Sequence, residues 1–226
     1  MRHALSGKRA LITQADAFMG PALCAAFAEQ GAEVVASVAT LSSTEETVAA
    51  LAAAGDIDAL VINLARPAPS TPVVDVDDDE WRAVFSALVD PLPRLARAVV
   101  PAMTRRGGGR ILVIGSAAAL RGMKRASTYS AARGAQLAWV QAAGVELAPL
   151  NIRVNGIAQN FVDNPTYFPP SVQANPRFRE RLAREVPLGR LVSAHEDATF
   201  AAYLCSDAAD CFVGQVFPVS GGWVTR

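Results

Sequence analysis

The sequence predicts one α/β domain over residues 1–226, built on a doubly wound parallel sheet. Three observations predict it. Short, almost wholly apolar runs (RALIT at 9–13, ALVINL at 59–64, ILVIGS at 111–116) alternate with longer runs of helical length. Strands that are apolar throughout are covered on both faces, and alternation with helices makes neighbouring strands parallel. At 226 residues and 23.7 kDa the chain suffices for one well-buried domain and is too short for two.

The elements follow in order. Arg9 to Thr13 forms the first strand, and the loop QADAFMG follows it. Pro21 suits the first turn of a helix, where a missing N–H costs nothing; that helix runs through ALCAAFAEQ and stops at Gly31. AEVVASV is a second strand ending near Val38, and a helix over 43–54 has Ser or Thr caps and Gly55 as its stop. The chain between Val38 and Ala59 is short enough for one strand to be missing from the sheet. ALVINL is the next strand, and the proline-rich ARPAPSTP leads to Asp77-Asp78-Asp79-Glu80. That acidic run reads either as an interaction patch or, preferably, as a helix N-terminus, where carboxylates suit the macrodipole. One long helix is expected from there through Trp81 towards Met103, with Pro91, Pro93 and Pro101 as points of bending or interruption. A glycine turn at 107–109 precedes ILVIGS. A helix then carries Tyr129 to Leu147, IRVNGIA is a strand, and after a loop and a helical region GQVFPVSGG closes the sheet.

Composition excludes several classes of function. Hydrophobic residues make up 51% and charged residues 19%, the balance of a globular protein. Net charge is zero and the pI is about 6.7, so no electrostatic field for nucleic acid or anionic lipid is expected. Cys24, Cys205 and Cys211 are odd in number, lack CxxC spacing and lie in apolar neighbourhoods, which predicts buried free thiols in a reducing compartment. His3 and His195 lack metal-ligand spacing, so no metal site is expected. The start MRHALSGKRALIT gives a short polar lead and no signal peptide, and no apolar run reaches membrane-spanning length. A soluble, cytoplasmic protein is the expectation.

The chemistry concentrates at Ser116, Tyr129 and Arg133. Ser116 falls where a parallel strand ends, the edge at which open α/β sheets bind ligands. Tyr129 and Arg133 are four apart on a helix and share one face. A guanidinium beside a phenol favours its ionised form, which general-base chemistry near neutral pH requires. Ser116 is placed to hold the same substrate oxygen. Taken singly, a strand-end serine and a half-buried tyrosine are ordinary; at this joint spacing they indicate catalysis.

Gly115-Ser116, Tyr129 thirteen residues after the serine, and a basic residue four further on resemble the short-chain dehydrogenase/reductase superfamily. So do AEVV, WxxVF, AVVPAM, NIRVNGIA, VPLGR and GQVFPVSGGW, along nearly the full length. The resemblance implies a Rossmann-like sheet. The departures from it are concentrated at the cofactor. The family's TGxxxGxG loop lets backbone and helix N-terminus approach a pyrophosphate. Here that run is Thr13 to Gly20; Gln14 and Phe18 replace two glycines and only Gly20 remains. A phenyl ring at Phe18 projects into space a dinucleotide needs. The second strand ends in Ser37-Val38-Ala39, with neither an acid for a ribose diol nor an arginine for a ribose phosphate. The NNAG-like stretch is Asn63-Leu64-Ala65-Arg66, the family's helix asparagine falls on Leu88, and Gln159-Asn160 stands in place of PG. Arg133 replaces a ribose-binding lysine with a planar, always-charged fork that serves the tyrosine without requiring a ribose. No cofactor is therefore expected.

A Ser-Tyr-Arg set with an aromatic residue in the glycine loop is similar to the halohydrin dehalogenases, and the stretch from Asn160 to Pro169 looks like their halide-binding loop. That resemblance implies an anion pocket lined by Phe18, Asn160, Phe161 and Phe168, with backbone amides near Asn160 donating to the halide as nests do. The plainer reading is that Phe161, Tyr167 and Phe168 pack a loop. The implied activity converts vicinal haloalcohols to epoxides with halide release and, in reverse, opens epoxides with azide, cyanide or nitrite. An NAD(P)-dependent reductase with a degenerate loop and a non-catalytic binding protein are the alternatives. The helix after Tyr129 carries Ala131, Ala132, Gly134, Ala135, Ala138, Ala142, Ala143 and Gly144, allowing close approach within the core or between subunits. The family's habit implies a homotetramer. Substrate preference is expected to depend on the loops at 65–71, 118–124 and 167–172.

Overall fold

The computed structural model describes residues 3–225; Met1 and Arg2, the first two residues of the polar lead, and Arg226 lie outside the described residues. Six strands form one sheet: β1 (Arg9–Ile12), β2 (Glu33–Ala36), β3 (Ala59–Asn63), β4 (Gly109–Ser116), β5 (Ile152–Gln159) and β6 (Val216–Val219). Their order is β2-β1-β3-β4-β5-β6 and every pairing is parallel. The winding reverses between β1 and β3, and a crevice opens at such a reversal, beyond the carboxyl ends of the strands. Among the described residues eight α-helices connect the strands: α1 (Gly20–Glu29), α2 (Thr44–Ala54), α3 (Asp78–Leu88), α4 (Pro91–Arg105), α5 (Ser127–Leu147), α6 (Pro170–Gln173), α7 (Pro176–Glu185) and α8 (Ala194–Leu204).

Strand side chains alternate between two cores. Leu60, Ile62, Ile111 and Val113 pack with Leu51, Val84, Leu88, Leu95 and Val140 of α2 to α5. Ala59, Val61, Leu112 and Ile114 face the other way, onto Leu23 and Phe27 of α1 and Ala198 and Ala201 of α8. The period of two thus puts a helical layer on each face. Caps end the helices where polar residues allow it. Ser43 accepts from the Glu46 N–H, and Ser193 and Glu196 form a reciprocal capping box at α8; such caps contribute about 1 kcal/mol each. The close approach foreseen on α5 occurs inside the core at Gly144, where a Cβ would lie 2.4 Å from the Gly214 Cα.

The segment between β2 and β3 contains α2 and no strand among the described residues, so β2 forms the sheet's edge. The acidic run begins a helix: Asp77 accepts from the Glu80 N–H at 2.7 Å, and Arg82 pairs with Asp78 and Asp79. The long helix is interrupted at the first of the prolines named for it: it is two helices, broken at 89–90, because Pro91 has no N–H with which to continue α3 and instead opens α4; Pro101 is accommodated inside α4. One expectation needs correction. Cys205 is buried and Cys24 partly so, but Cys211 is exposed, since it sits in the turn after α8 and outside the core. Among the described residues no helix is long and apolar enough to cross a membrane.

Candidate functional site

β4 ends at Ser116, and a 3-10 turn over 117–119 follows. The Ser116 hydroxyl accepts from the Ala118 N–H at 3.2 Å, which leaves its own hydrogen free to donate. Glu80 anchors the start of α5 by accepting from the Thr128 hydroxyl at 2.8 Å. Tyr129, the next residue, turns its ring towards the sheet and is buried. Arg133 lies one turn further on, with its Cζ 5.0 Å from the centroid of the Tyr129 ring. It is a cation over a π face, at a distance where the attraction is appreciable.

Burying a guanidinium is costly unless its donors are met. Arg133 donates to the carbonyls of Ile114 and Leu64, each at 3.2 Å, and to Gln136 Oε1 at 2.9 Å. Its Nε has no partner among the described residues. Gln136 in turn donates to the Leu88 carbonyl at 2.6 Å. That carbonyl is left over by the break between α3 and α4, since the Leu92 N–H bonds to Val89 instead. The position where the family carries a helix asparagine therefore contributes a main-chain acceptor. Sequence reasoning missed Gln136 as the link from this acceptor to Arg133.

The loop after β5 builds the other wall. Asn164 folds it, accepting from the Tyr167 N–H and donating to the Val162 carbonyl, both at 2.9 Å. Phe161, at φ 51°, stacks on Phe168 with centroids 6.0 Å apart and meets the Trp223 edge at the same separation. Phe18 meets the Tyr167 ring at 5.2 Å, and the Arg181 Cζ lies 5.5 Å from the Phe161 centroid. Ser116, Tyr129 and Arg133 line one cavity of about 300 Å³, and Phe18, Asn160, Phe161 and Phe168 line the same cavity. All seven residues singled out in the sequence are thus brought together. The proposed backbone donors are a correction. The Asn160 N–H is bonded to the Val219 carbonyl at 3.0 Å, because β6 pairs there, and the Phe161 N–H to Asn160 Oδ1 at 2.9 Å. The Asn160 side-chain Nδ2 donates to no group among the described residues, and Asn160 is one of the residues lining the cavity.

A buried carboxyl stands behind the cavity. Gln159, at the end of β5, lines it and donates to Oδ2 of Asp197 on α8; Asp197 Oδ1 has no partner among the described residues. Burial pushes the Asp197 carboxyl up to about 7, against the opposing effect of the Gln159 hydrogen bond.

The nucleotide side of the edge is filled differently. Gln14 and Phe18 have φ of 44° and 50°, the left-handed region that glycine occupies freely and other residues at a cost of about 1 kcal/mol or more each. The loop keeps a glycine's backbone without the glycines. At Gly20 a Cβ would lie 2.4 Å from the Ala15 carbonyl oxygen, which explains the one glycine retained. Gln14 accepts from the Ala65 N–H at 2.5 Å and donates to the Thr40 carbonyl at 3.2 Å. Asn63 donates to the carbonyls of Gln14 and Ala17 at 2.9 and 3.1 Å. Side chains thereby tie together the loops after β1, β2 and β3.

Comparison with known proteins agrees with this geometry. A family profile described as enoyl-(acyl carrier protein) reductase matches residues 23–224. The 3-oxoacyl-acyl-carrier-protein reductase of Pseudomonas aeruginosa is 30% identical over 96% of this chain and 98% of its own length. The cis-4-hydroxycyclohexanecarboxylate dehydrogenase of Sinomonas cyclohexanicum is also 30% identical, over 99% of both chains. Among solved structures, a dehalogenation enzyme superposes with a TM-score of 0.90 at 32% identity, over 98% of this chain and all of its own. An L-sorbose reductase from Gluconobacter frateurii, complexed with NADPH and L-sorbose, superposes with a TM-score of 0.91 at 25% identity over the whole of both chains. The chain belongs to the short-chain dehydrogenase/reductase superfamily.

Proposed function

We propose that this member of the superfamily is a cofactor-independent dehalogenase that converts vicinal haloalcohols to epoxides and releases halide. One observation carries the reading: Gln14 and Phe18 occupy the glycine positions of the nucleotide loop, and the Gln14 side chain bridges Ala65 and Thr40 across the crevice. The residues present do not fit a dinucleotide. Gly20 spends its N–H on the Ala17 carbonyl, and Pro21 has none to offer a pyrophosphate. The catalytic side retains a serine, a tyrosine and a buried cation in a ring-lined cavity. The superposition with a dehalogenation enzyme supports the same choice.

The reaction follows from the placement of the groups. Ser116 donates to the substrate hydroxyl oxygen, and Tyr129, in its ionised form beside the Arg133 cation, removes the hydroxyl proton. The resulting alkoxide attacks the adjacent carbon, a carbon–oxygen bond forms as the carbon–halogen bond breaks, and the halide leaves with the bonding pair. Phe18, Phe161 and Phe168 supply a dry wall for the halide, and Asn160 Nδ2 is its donor. Holding alkoxide and carbon in line and stabilising the leaving anion lower the barrier. In reverse the same site opens epoxides with small anions such as azide, cyanide or nitrite. A homotetramer is part of the proposal, with Ala131, Ala138 and Ala142 exposed on α5 for a partner helix.

The reductase relatives favour a second reading, a nicotinamide-dependent oxidoreductase, which would need Gln14 to leave both its partners. The Tyr129→Phe variant tests the proposal. Halide release from a small bromo-alcohol should fall at least a hundredfold while the melting temperature stays within a few degrees. Substantial remaining release from the folded variant would contradict the assignment.

A further inference from the structure

Two arginines line the cavity, and they are engaged differently. Arg133 is buried, and its terminal nitrogens are taken up by the Ile114 and Leu64 carbonyls and by Gln136. Arg181, on α7, has a side chain 50% exposed, so it stands where the cavity meets solvent. Its Nε donates to Glu185 Oε2 at 3.1 Å, and its Cζ lies 5.5 Å from the Phe161 centroid. Its two Nη atoms donate to no group among the described residues. Glu185 does not neutralise Arg181 alone, because its Oε1 accepts from Arg184 at 3.2 Å. Across α7, Arg177, Arg179, Arg181 and Arg184 stand against Glu180 and Glu185, which leaves a surplus of positive charge. Among the described residues no aspartate or glutamate lines the cavity.

We infer that Arg181 forms an outer anion subsite of this cavity, and that the substrate is a haloalcohol whose far end bears a carboxylate. The inference deepens the dehalogenase reading and rests on it only for the reacting end of the molecule.

The chemistry of the lining favours a carboxylate. The parallel donors of a guanidinium match the two oxygens of a carboxylate in a bidentate pair. Glu185 on Nε and the Phe161 ring restrain the Arg181 side chain beforehand, so less of its freedom is lost when an anion arrives. The other amides in the lining are already engaged. Gln159 donates to Asp197, Asn63 to the carbonyls of Gln14 and Ala17, and Asn164 to the Val162 carbonyl of its own loop. A halide is a single centre and has no use for a fork; its proposed place is the ring wall beside Asn160. Val172 and Phe178 also line the cavity and give the connecting carbons of the substrate an apolar bed.

Bromide release from the whole protein tests this. The substrates are bromo-alcohols ending in a carboxylate, on a short aliphatic or a phenyl spacer, and the same molecules ending in the neutral amide. The wild type should prefer the acid about tenfold in kcat/KM, the usual value of hydrogen bonds to a charged group, and chiefly through KM. In Arg181→Gln that ratio should fall towards one. Arg181→Lys keeps the charge without the fork and should restore part of it. The wild-type preference should also shrink as salt is added, because the pair is partly exposed. No preference in the wild type on either spacer, or a preference that survives Arg181→Gln, would overturn the inference. So would a rise in the azide KM for opening a neutral epoxide that matches the rise for the acid, since the cation would then serve the free nucleophile. If the wild type released bromide from none of these compounds, the dehalogenase reading would fail. Saturation-transfer NMR with the halogen-free hydroxy acid and its amide would still decide the subsite. The acid should bind the wild type more tightly than Arg181→Gln, and equal binding would overturn the inference.

Discussion

Two halves of one sheet edge hold different kinds of contents. Beyond β1, β2 and β3 the loops are joined side chain to main chain by Gln14 and Asn63, and a phenyl ring stands where a glycine belongs. Beyond β4 and β5 the chain opens into a cavity of about 300 Å³, walled by aromatic rings that include Phe18 from the loop after β1 and entered by a serine and a tyrosine. The strands beneath are the same in kind, apolar and parallel. On the proposed reading, the scaffold lets one ligand site be closed by a few side chains while its neighbour is kept. Arg133 belongs to both halves: it lies over Tyr129 on one side and reaches the Leu64 carbonyl on the other. Through these contacts Arg133 ties the two halves together.

The largest expected effect comes from removing that tie. In Arg133→Met the carbonyls of Ile114 and Leu64 and the Gln136 amide oxygen all lose a charged donor. Stability should drop by a few kcal/mol in denaturant titration, and halide release should fall at least a hundredfold. Unchanged activity would mean that Tyr129 works without the cation. A second change addresses the closed half. Restoring the glycines with Gln14→Gly and Phe18→Gly together should admit a nicotinamide nucleotide detectable by calorimetry, where the wild type gives no heat of binding. Binding by the wild type would break the contrast. The third effect is on stability alone. Burial raises the Asp197 carboxyl from 3.8 to about 7, so the folded state favours its protonated form. This contribution to stability is fully present below about pH 4 and is lost as pH rises through 7. Asp197→Asn should therefore be the more stable form at pH 8, by on the order of a few kcal/mol, with the advantage gone at pH 4. Parallel unfolding midpoints at the two pH values would show that the carboxyl is not desolvated.

Much of this was legible in the chain. Fully apolar strands announced the two-faced sheet, and the strand-end position of Ser116 with Tyr129 and Arg133 on one helical face located the cavity. The substitutions at Gln14 and Phe18 were visible as lost glycines. That Gln14 would also bridge two other loops was not, because its partners Ala65 and Thr40 are remote in sequence and are main-chain groups. The pairing of Gln159 with Asp197 was hidden for a similar reason: Asp197 stands in the first turn of a capped helix, where an exposed carboxylate is ordinary, and only the packing of α8 against β5 buries it. The break between α3 and α4 falls at Pro91, one of the three prolines at which the sequence allowed bending or interruption; the chain alone did not say which of the three would do it. The donors near Asn160 were misread because their fate depends on β6, which pairs from the far end of the chain.

If the open half works while the closed half stays empty, nucleotide-free protein incubated with a small vicinal bromo-alcohol should show it in bromide and epoxide measured together. Both should appear, in equal amounts, at a rate unaffected by added NADH or NADPH. Absence of bromide, with a ketone formed only when an oxidised nicotinamide nucleotide is supplied, would contradict it.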